Sequence, residues 1–195
     1  MSTSVFQAGA TEIRIAGFGG QGVILAGTIL GKAATIHEGR QATLIQSFGP
    51  EARGGSCSAQ VILSDRPIGY PYVTRPHVLV AMSQDAFERF AGDVREGGTL
   101  VFEEDLVRVH DLRPDVRPFG VPATRFAEEM RRRMVLNIVM TGFVTAVTGA
   151  VAADAARRAV ADSVPKGTES LNIAAFDKGY EYGIGLPGGP GSKRG

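Results

Sequence analysis

Residues 12–16 alternate polar and apolar side chains and run straight into glycines, the pattern of a short strand that feeds a tight turn. From residue 21 to about residue 37, Val23, Ile24, Ala26, Ile29, Leu30, Ala33 and Ala34 recur at helical spacing. Residues 42–48 and 56–64 read as two further strands, separated by a loop of glycine, proline and charge. That link is too short for the crossover of about a dozen residues that parallel neighbours need, so an antiparallel pair is predicted.

After the proline- and tyrosine-rich "RPIGYPYVTRP", residues 77–83 form the continuous apolar run of a buried strand. Residues 84–94 then read as a helix closed by Gly97 and Gly98, and Thr99 opens another strand. Residues 107–109 and 116–121 are short candidates for edge strands. Residues 125–134 predict a charged helix, and 137–147 a more apolar one that packs inside. Asp154 is placed to cap a helix over 155–163, with Pro165 beyond it, and a last helix starts near Thr168. The glycine- and proline-rich end is expected to be a flexible tail over 186–195, leaving 1–185 as one domain. No repeat of fixed period is visible.

Composition narrows the class without naming a function. At 195 residues, with 44% hydrophobic and 21% charged positions, the chain suits one soluble globular domain. A formal charge of +1 gives no broad electrostatic reason to expect nucleic acid or an anionic membrane as partner. The single cysteine, Cys57, rules out an internal disulfide and cannot by itself hold an iron–sulfur cluster, which takes about four thiolates. The first ten residues lack the basic start and apolar core of a secretory signal, and no apolar run is long enough to span a bilayer. A cytoplasmic protein is the expectation.

The candidate chemistry begins at "GFGGQG". Gly17, Gly19 and Gly22 have the spacing that cradles a dinucleotide pyrophosphate, with a strand before and a helix after, yet the same glycines serve a purely structural turn. A dinucleotide site also needs an acid at the end of the next strand, about 20 residues on, to bind ribose hydroxyls. That strand ends in Gln46 and Ser47, so an ordinary NAD or NADP site is disfavoured. The loop "SFGPEARGGS" is longer than a hairpin requires. Either Glu51 and Arg53 pair with each other on a solvated loop, or Arg53 offers its planar fork to a carboxylate or phosphate outside the chain. Were the sheet to set this loop beside residues 18–21, the two would form one concave surface.

Elsewhere the chemistry is thin. His37, His77 and His110 are scattered, and Cys57 opens an apolar strand as a packed small residue. Glu103, Glu104 and Asp105 mark a turn, and the arginines at 131–133 read as a solvated helix face. Tyr70 and Tyr72 are either a sticky surface for a partner or a rigid turn. Anion-ready loops without an acid, base, nucleophile or metal set point to part of an enzyme rather than the whole.

The segments "GFGGQGVILAGTILGKAA", "QSFGPEARGGSCSAQVILSDRPIGYP" and "VLVAMSQDAFERF" together resemble the gamma subunit of the 2-oxoacid:ferredoxin (acceptor) oxidoreductases. The likeness runs from about residue 13 to 180 and is most specific at the glycine turn and "GPEARGG". Within that family the chain looks most like the 2-oxoglutarate form, with phenylglyoxylate, pyruvate and branched-chain or aryl-pyruvate forms next. The resemblance implies an α/β fold: a single three-layer α/β/α domain with a mixed, mainly parallel sheet. It implies oxidative decarboxylation of a 2-oxoacid with coenzyme A to acyl-CoA and carbon dioxide. Thiamine diphosphate with Mg would sit on partner alpha and beta subunits, and iron–sulfur clusters on companion chains, including a ferredoxin-like subunit, would pass electrons to ferredoxin or another acceptor. Gly17, Gly19, Gly20, Gln21 and Gly22 would then face those partners or the phosphates of coenzyme A, with Glu51, Arg53, Gly54 and Gly55 beside them. None is assigned a catalytic role.

Overall fold

β1 (Thr11–Phe18) lies in the middle of a six-stranded sheet in the computed structural model, which describes residues 9–49 and 54–186. Glu51, Arg53 and the tail from residue 187 therefore lie outside the described residues. On one side β1 pairs antiparallel with β3 (Ser56–Ser64), which pairs antiparallel with β2 (Gln41–Phe48). On the other side β4 (Val78–Ala81), β5 (Thr99–Glu103) and β6 (Arg117–Val121) follow in parallel, giving the order β2-β3-β1-β4-β5-β6. The sheet is mixed and mainly parallel, and the β2–β3 pair is antiparallel as its short link requires.

Period-two alternation sets the two faces. Ile13 and Ile15 of β1, with Ala59, Val61 and Leu63 of β3, turn toward α1 (Val23–Lys32), α4 (Leu136–Thr148) and α5 (Ala153–Ala161). Ala16, Leu79, Ala81 and Leu100 turn the other way, against Ala86 and Phe87 of α2 (Gln84–Phe90). α4 is buried at every position from Asn137 to Thr148 and packs on α6 (Glu169–Gly185). A Cβ on Gly142 would lie 2.0 Å from the Phe176 carbonyl oxygen, and one on Gly179 would lie 2.0 Å from that of Val139. The two helices thus touch backbone to backbone, which only glycine permits. Residues 137–147 form the inward helix that their apolar pattern predicts.

Several boundaries differ from the sequence pattern for local reasons. Residues 107–109 form no strand: Val107 is buried under α2's side of the sheet, but its N–H donates to the Glu103 carbonyl at 2.9 Å in a turn. Glu103 itself is fully buried, where its carboxylate accepts from Leu106 N–H at 2.7 Å and Thr124 N–H at 2.9 Å. It thereby caps α3 (Ala123–Glu129), while Glu104 and Asp105 both pair with Arg125. α3 stops before the three arginines. Arg132 N–H donates to Ala127 O at 3.0 Å and Arg131 N–H to Glu128 O at 2.8 Å, the paired bonds that end a helix on a left-handed residue. That residue is Arg131, φ +53°, so Arg131 and Arg132 occupy a turn and not a helix face, and Arg133 opens a short 3-10 helix (Arg133–Val135) that runs into α4. Asp154 lies in the first turn of α5, after an N-cap at Ala152, and Thr168 stands at the N-cap of α6 with its hydroxyl donated to Pro165 O.

Candidate functional site

The glycine turn joins β1 to α1, and each glycine in it answers a different constraint. A Cβ on Gly17 would lie 2.4 Å from the Gln21 Oε1, so Gly17 makes room for that side chain. Gln21 then clamps two strand ends: its Oε1 accepts from Phe18 N–H at 2.6 Å and its Nε2 donates to the Met82 carbonyl at 2.8 Å, just beyond β4. Gly20 and Gly22 hold φ at +96° and +75°, in the left-handed region. Gly19 has an ordinary φ, and a Cβ there would meet nothing closer than 3.6 Å.

The second loop does come alongside. Gly19 N–H donates to the Gly55 carbonyl at 2.9 Å, and across the hairpin Gly49 N–H donates to Ser56 O at 2.7 Å. Gly17, Gly19, Gly20, Gln21, Gly22, Gly54 and Gly55 are thus brought together, with exposed Phe18 and Phe48 at the same end of the sheet. Glu51 and Arg53 belong to this loop but lie outside the described residues.

Hydrogen bonding decides which groups remain for a ligand. The backbone N–H groups of Phe18, Gly19 and Gln21 are already donated within the two loops, and the Gln21 side chain spends its Oε1 on Phe18 N–H and one Nε2–H on the Met82 carbonyl. Gln21 is therefore a brace, with one Nε2–H beyond that bond. The remaining donors are at the start of α1, where the first N–H groups have no intrahelical acceptor. α1 has no side-chain cap and no acid in its first turn, so its positive end is left uncompensated. α4 begins beside it with no side-chain cap and no first-turn acid, but it continues a 3-10 turn over Arg133–Val135 in which the Val135 and Leu136 N–H groups are already donated; the Asn137 Nδ2 donates to Gly22 O at 3.4 Å. A Cβ on Gly22 would sit 2.5 Å from Asn137, so the two helix starts are in direct contact. Asn137 carried no signal in the sequence beyond opening an apolar helix.

On the face of α2, a cleft of about 480 Å³ lies between β1, β3 and that helix, lined in part by Arg14, Ser47, Ser58, Gln60, Arg89 and Phe90. Its deepest cation is committed to the fold: Arg14 donates to Asp93 at 2.7 Å and to Val73 O at 2.6 Å, and lies over the Phe90 ring. Cys57 is buried at the edge of this cleft, and burial pushes its thiol above the ordinary range, which disfavours the thiolate. His37, His77 and His110 have separate partners, being bonded respectively to Asp162, to Glu12 N–H and to Asp111. Among the described residues no group of three or more His, Cys, Asp or Glu is placed to hold a metal ion. The chain's donors do not fit an iron–sulfur cluster. Among the described residues no helix is long and apolar enough to cross a membrane.

The topology also departs from a dinucleotide-binding unit. There the strand beside β1 is parallel and carries the ribose acid at its end. Here that place belongs to antiparallel β3, and β2, with Gln46 and Ser47 at its end, lies one strand further out.

Comparison with known proteins gives three findings. The family profile described as pyruvate ferredoxin/flavodoxin oxidoreductase matches residues 12–182. The 2-oxoglutarate synthase subunit KorC of Methanocaldococcus jannaschii is 48% identical over 172 residues, covering 87% of this chain and 92% of the relative. Among solved structures, the gamma subunit of a keto/oxoacid ferredoxin oxidoreductase from Geobacter sulfurreducens superposes with a TM-score of 0.79 at 38% identity, over 90% of this chain and 99% of that one.

Proposed function

Because the chain belongs to the pyruvate ferredoxin/flavodoxin oxidoreductase family, we propose that it is the gamma subunit of a multi-chain 2-oxoacid:ferredoxin oxidoreductase, with 2-oxoglutarate as the favoured substrate. The overall reaction is oxidative decarboxylation: the 2-oxoacid loses carbon dioxide, the acyl group passes to coenzyme A, and two electrons go to ferredoxin or another acceptor. The carrying observation is the 48% identity to a 2-oxoglutarate synthase subunit along nearly its full length. Thiamine diphosphate, Mg and the iron–sulfur clusters are assigned to companion alpha, beta and ferredoxin-like chains. This chain's own part is binding and shaping.

That part is to receive an anionic portion of coenzyme A at the glycine turn. Support comes from the start of α1, which has no side-chain cap and no acid in its first turn and is met at Gly22 by Asn137 of the equally acid-free first turn of α4. The N–H groups that do this lie at Gly20, Gly22 and the first turn of α1, since those of Gly19 and Gln21 are spent. Arg53 adds a guanidinium from the neighbouring loop.

The test is the assembled enzyme, assayed for acceptor reduction with 2-oxoglutarate, pyruvate and phenylglyoxylate in turn. The expected result is coenzyme A-dependent turnover fastest with 2-oxoglutarate. A preference for another 2-oxoacid would overturn the substrate assignment and leave the family standing. Arg53→Ala and Gly19→Ala are expected to raise the KM for coenzyme A in an intact assembly; unchanged coenzyme A kinetics in both would remove this chain from that site.

A further inference from the structure

The link between α3 and α4, a turn at Arg131 and Arg132 followed by the 3-10 helix Arg133–Val135, carries Arg131, Arg132, Arg133 and Met134, all exposed, with Met134 at 92% exposure. Glycine is the usual residue where a helix closes on a left-handed position, and here an arginine with φ +53° stands instead. Among the described residues the side chains of Arg131 and Arg132 make no hydrogen bond or ion pair, and Arg133 reaches only Glu128, at 3.1 Å, while 86% exposed. The turn is nonetheless fixed, by the helix-closing bonds of Arg131 and Arg132 and by Val135 N–H donating to Arg132 O at 3.1 Å. Buried Val135 follows directly, then Asn137, whose side chain meets Gly22. A rigid corner of three cations and one bare thioether therefore adjoins the glycine turn.

We propose that this corner is a docking surface for an acidic face of a companion chain of the oxidoreductase, with Met134 entering an apolar socket rimmed by carboxylates that pair with Arg131 and Arg132. This rests on the multi-chain reading above. The methionine selects a protein over a free phosphate or a nucleic acid: a polyanion accounts for arginines but leaves an almost fully exposed Met134 in water. Methionine and arginine are both enriched where protein interfaces exclude water, and arginine forks match carboxylates two bonds at a time. The positive ends of α1 and α4 lie on the same side and reinforce the potential that steers such a partner.

The experiment measures assembly of the full-length chain with its companion chains, together with the melting temperature of the chain alone. Arg131→Gly relieves the left-handed backbone and removes the cation, so it is expected to raise the melting temperature while weakening assembly about tenfold. Met134→Ser is expected to leave melting unchanged and weaken assembly by a similar factor, and Arg132→Glu to weaken it further and flatten its dependence on salt. Assembly as tight as wild type in Arg132→Glu and Met134→Ser would overturn the proposal. So would intact assembly with a raised KM for coenzyme A in the arginine variants, which would hand those side chains to the coenzyme's phosphates. Failure of the unaltered chain to assemble at all would contradict the multi-chain reading itself and is visible as a separate result.

Discussion

His77 shows how a single side chain is held in one protonation state by its surroundings. The Glu12 N–H donates to its Nδ1 at 3.0 Å, and the Arg95 guanidinium lies against Nε2. Burial first, and then the charge of Arg95, lower its pKa from 6.5 to about 4. The folded chain therefore binds fewer protons than the unfolded chain between these values, and the stability present above pH 6.5 is lost progressively as pH falls toward about 4. Urea unfolding across that window is expected to show this slope in the wild type and lose up to one proton's worth of it in His77→Gln. An identical pH dependence in both would contradict the assignment.

The glycines of the turn are separable in the same way. Gly22→Ala combines a left-handed backbone with a Cβ 2.5 Å from Asn137, and is expected to cost about 3 kcal/mol. Gly19→Ala has ordinary φ and open space to 3.6 Å, and is expected to stay within about 0.5 kcal/mol in thermal or urea melts. The second variant is thus the one that reads ligand approach without disturbing the fold. The sequence spacing announced the turn, but it could not say that Gln21 is a brace, because its acceptor, the Met82 carbonyl, lies 61 positions away.

At the scale of elements, the α4–α6 contact has the most exacting geometry. With Gly142 and Gly179 each opposed to a carbonyl of the other helix at a notional 2.0 Å, Gly179→Ala must push the helices apart and is expected to cost about 3 kcal/mol or more. Equilibrium unfolding measures it, and a loss below about 1 kcal/mol would show that the pair repacks freely. The inward position of α4 was legible from its unbroken apolar run, whereas its partner was not, since small residues on α6 carry no pattern that names the helix they touch. The helix expected over 125–134 forms as α3 but ends at Glu129, for a related reason. Its charged residues suit a helix, and the closing bonds from Arg131 and Arg132 to the carbonyls of Glu128 and Ala127 end it on an arginine, where no glycine signals a stop. The strand expected at 107–109 failed because a buried valine in a packed turn looks the same in one dimension as one in a ladder.

At the scale of the molecule, sheet order turns separate motifs into a site. Placing antiparallel β3 beside β1 sets Gly55 against Gly19 and moves β2 away from the position of a ribose-binding strand. Local patterns foretold the antiparallel pair and the two loops, and the missing ribose acid already argued against a dinucleotide. The contact between the loops was only conditional until strand order was known, and the meeting of the α1 and α4 starts depends on residues 115 positions apart. The molecule that results has a positive, uncapped helix start beside two touching loops, which suits the proposed part of shaping a reaction centre held by others. The most direct measurement is acceptor reduction by 2-oxoglutarate and coenzyme A with the companion chains alone, with this chain alone, and with both combined. The account predicts turnover only in the combination; sustained turnover by this chain alone would contradict it.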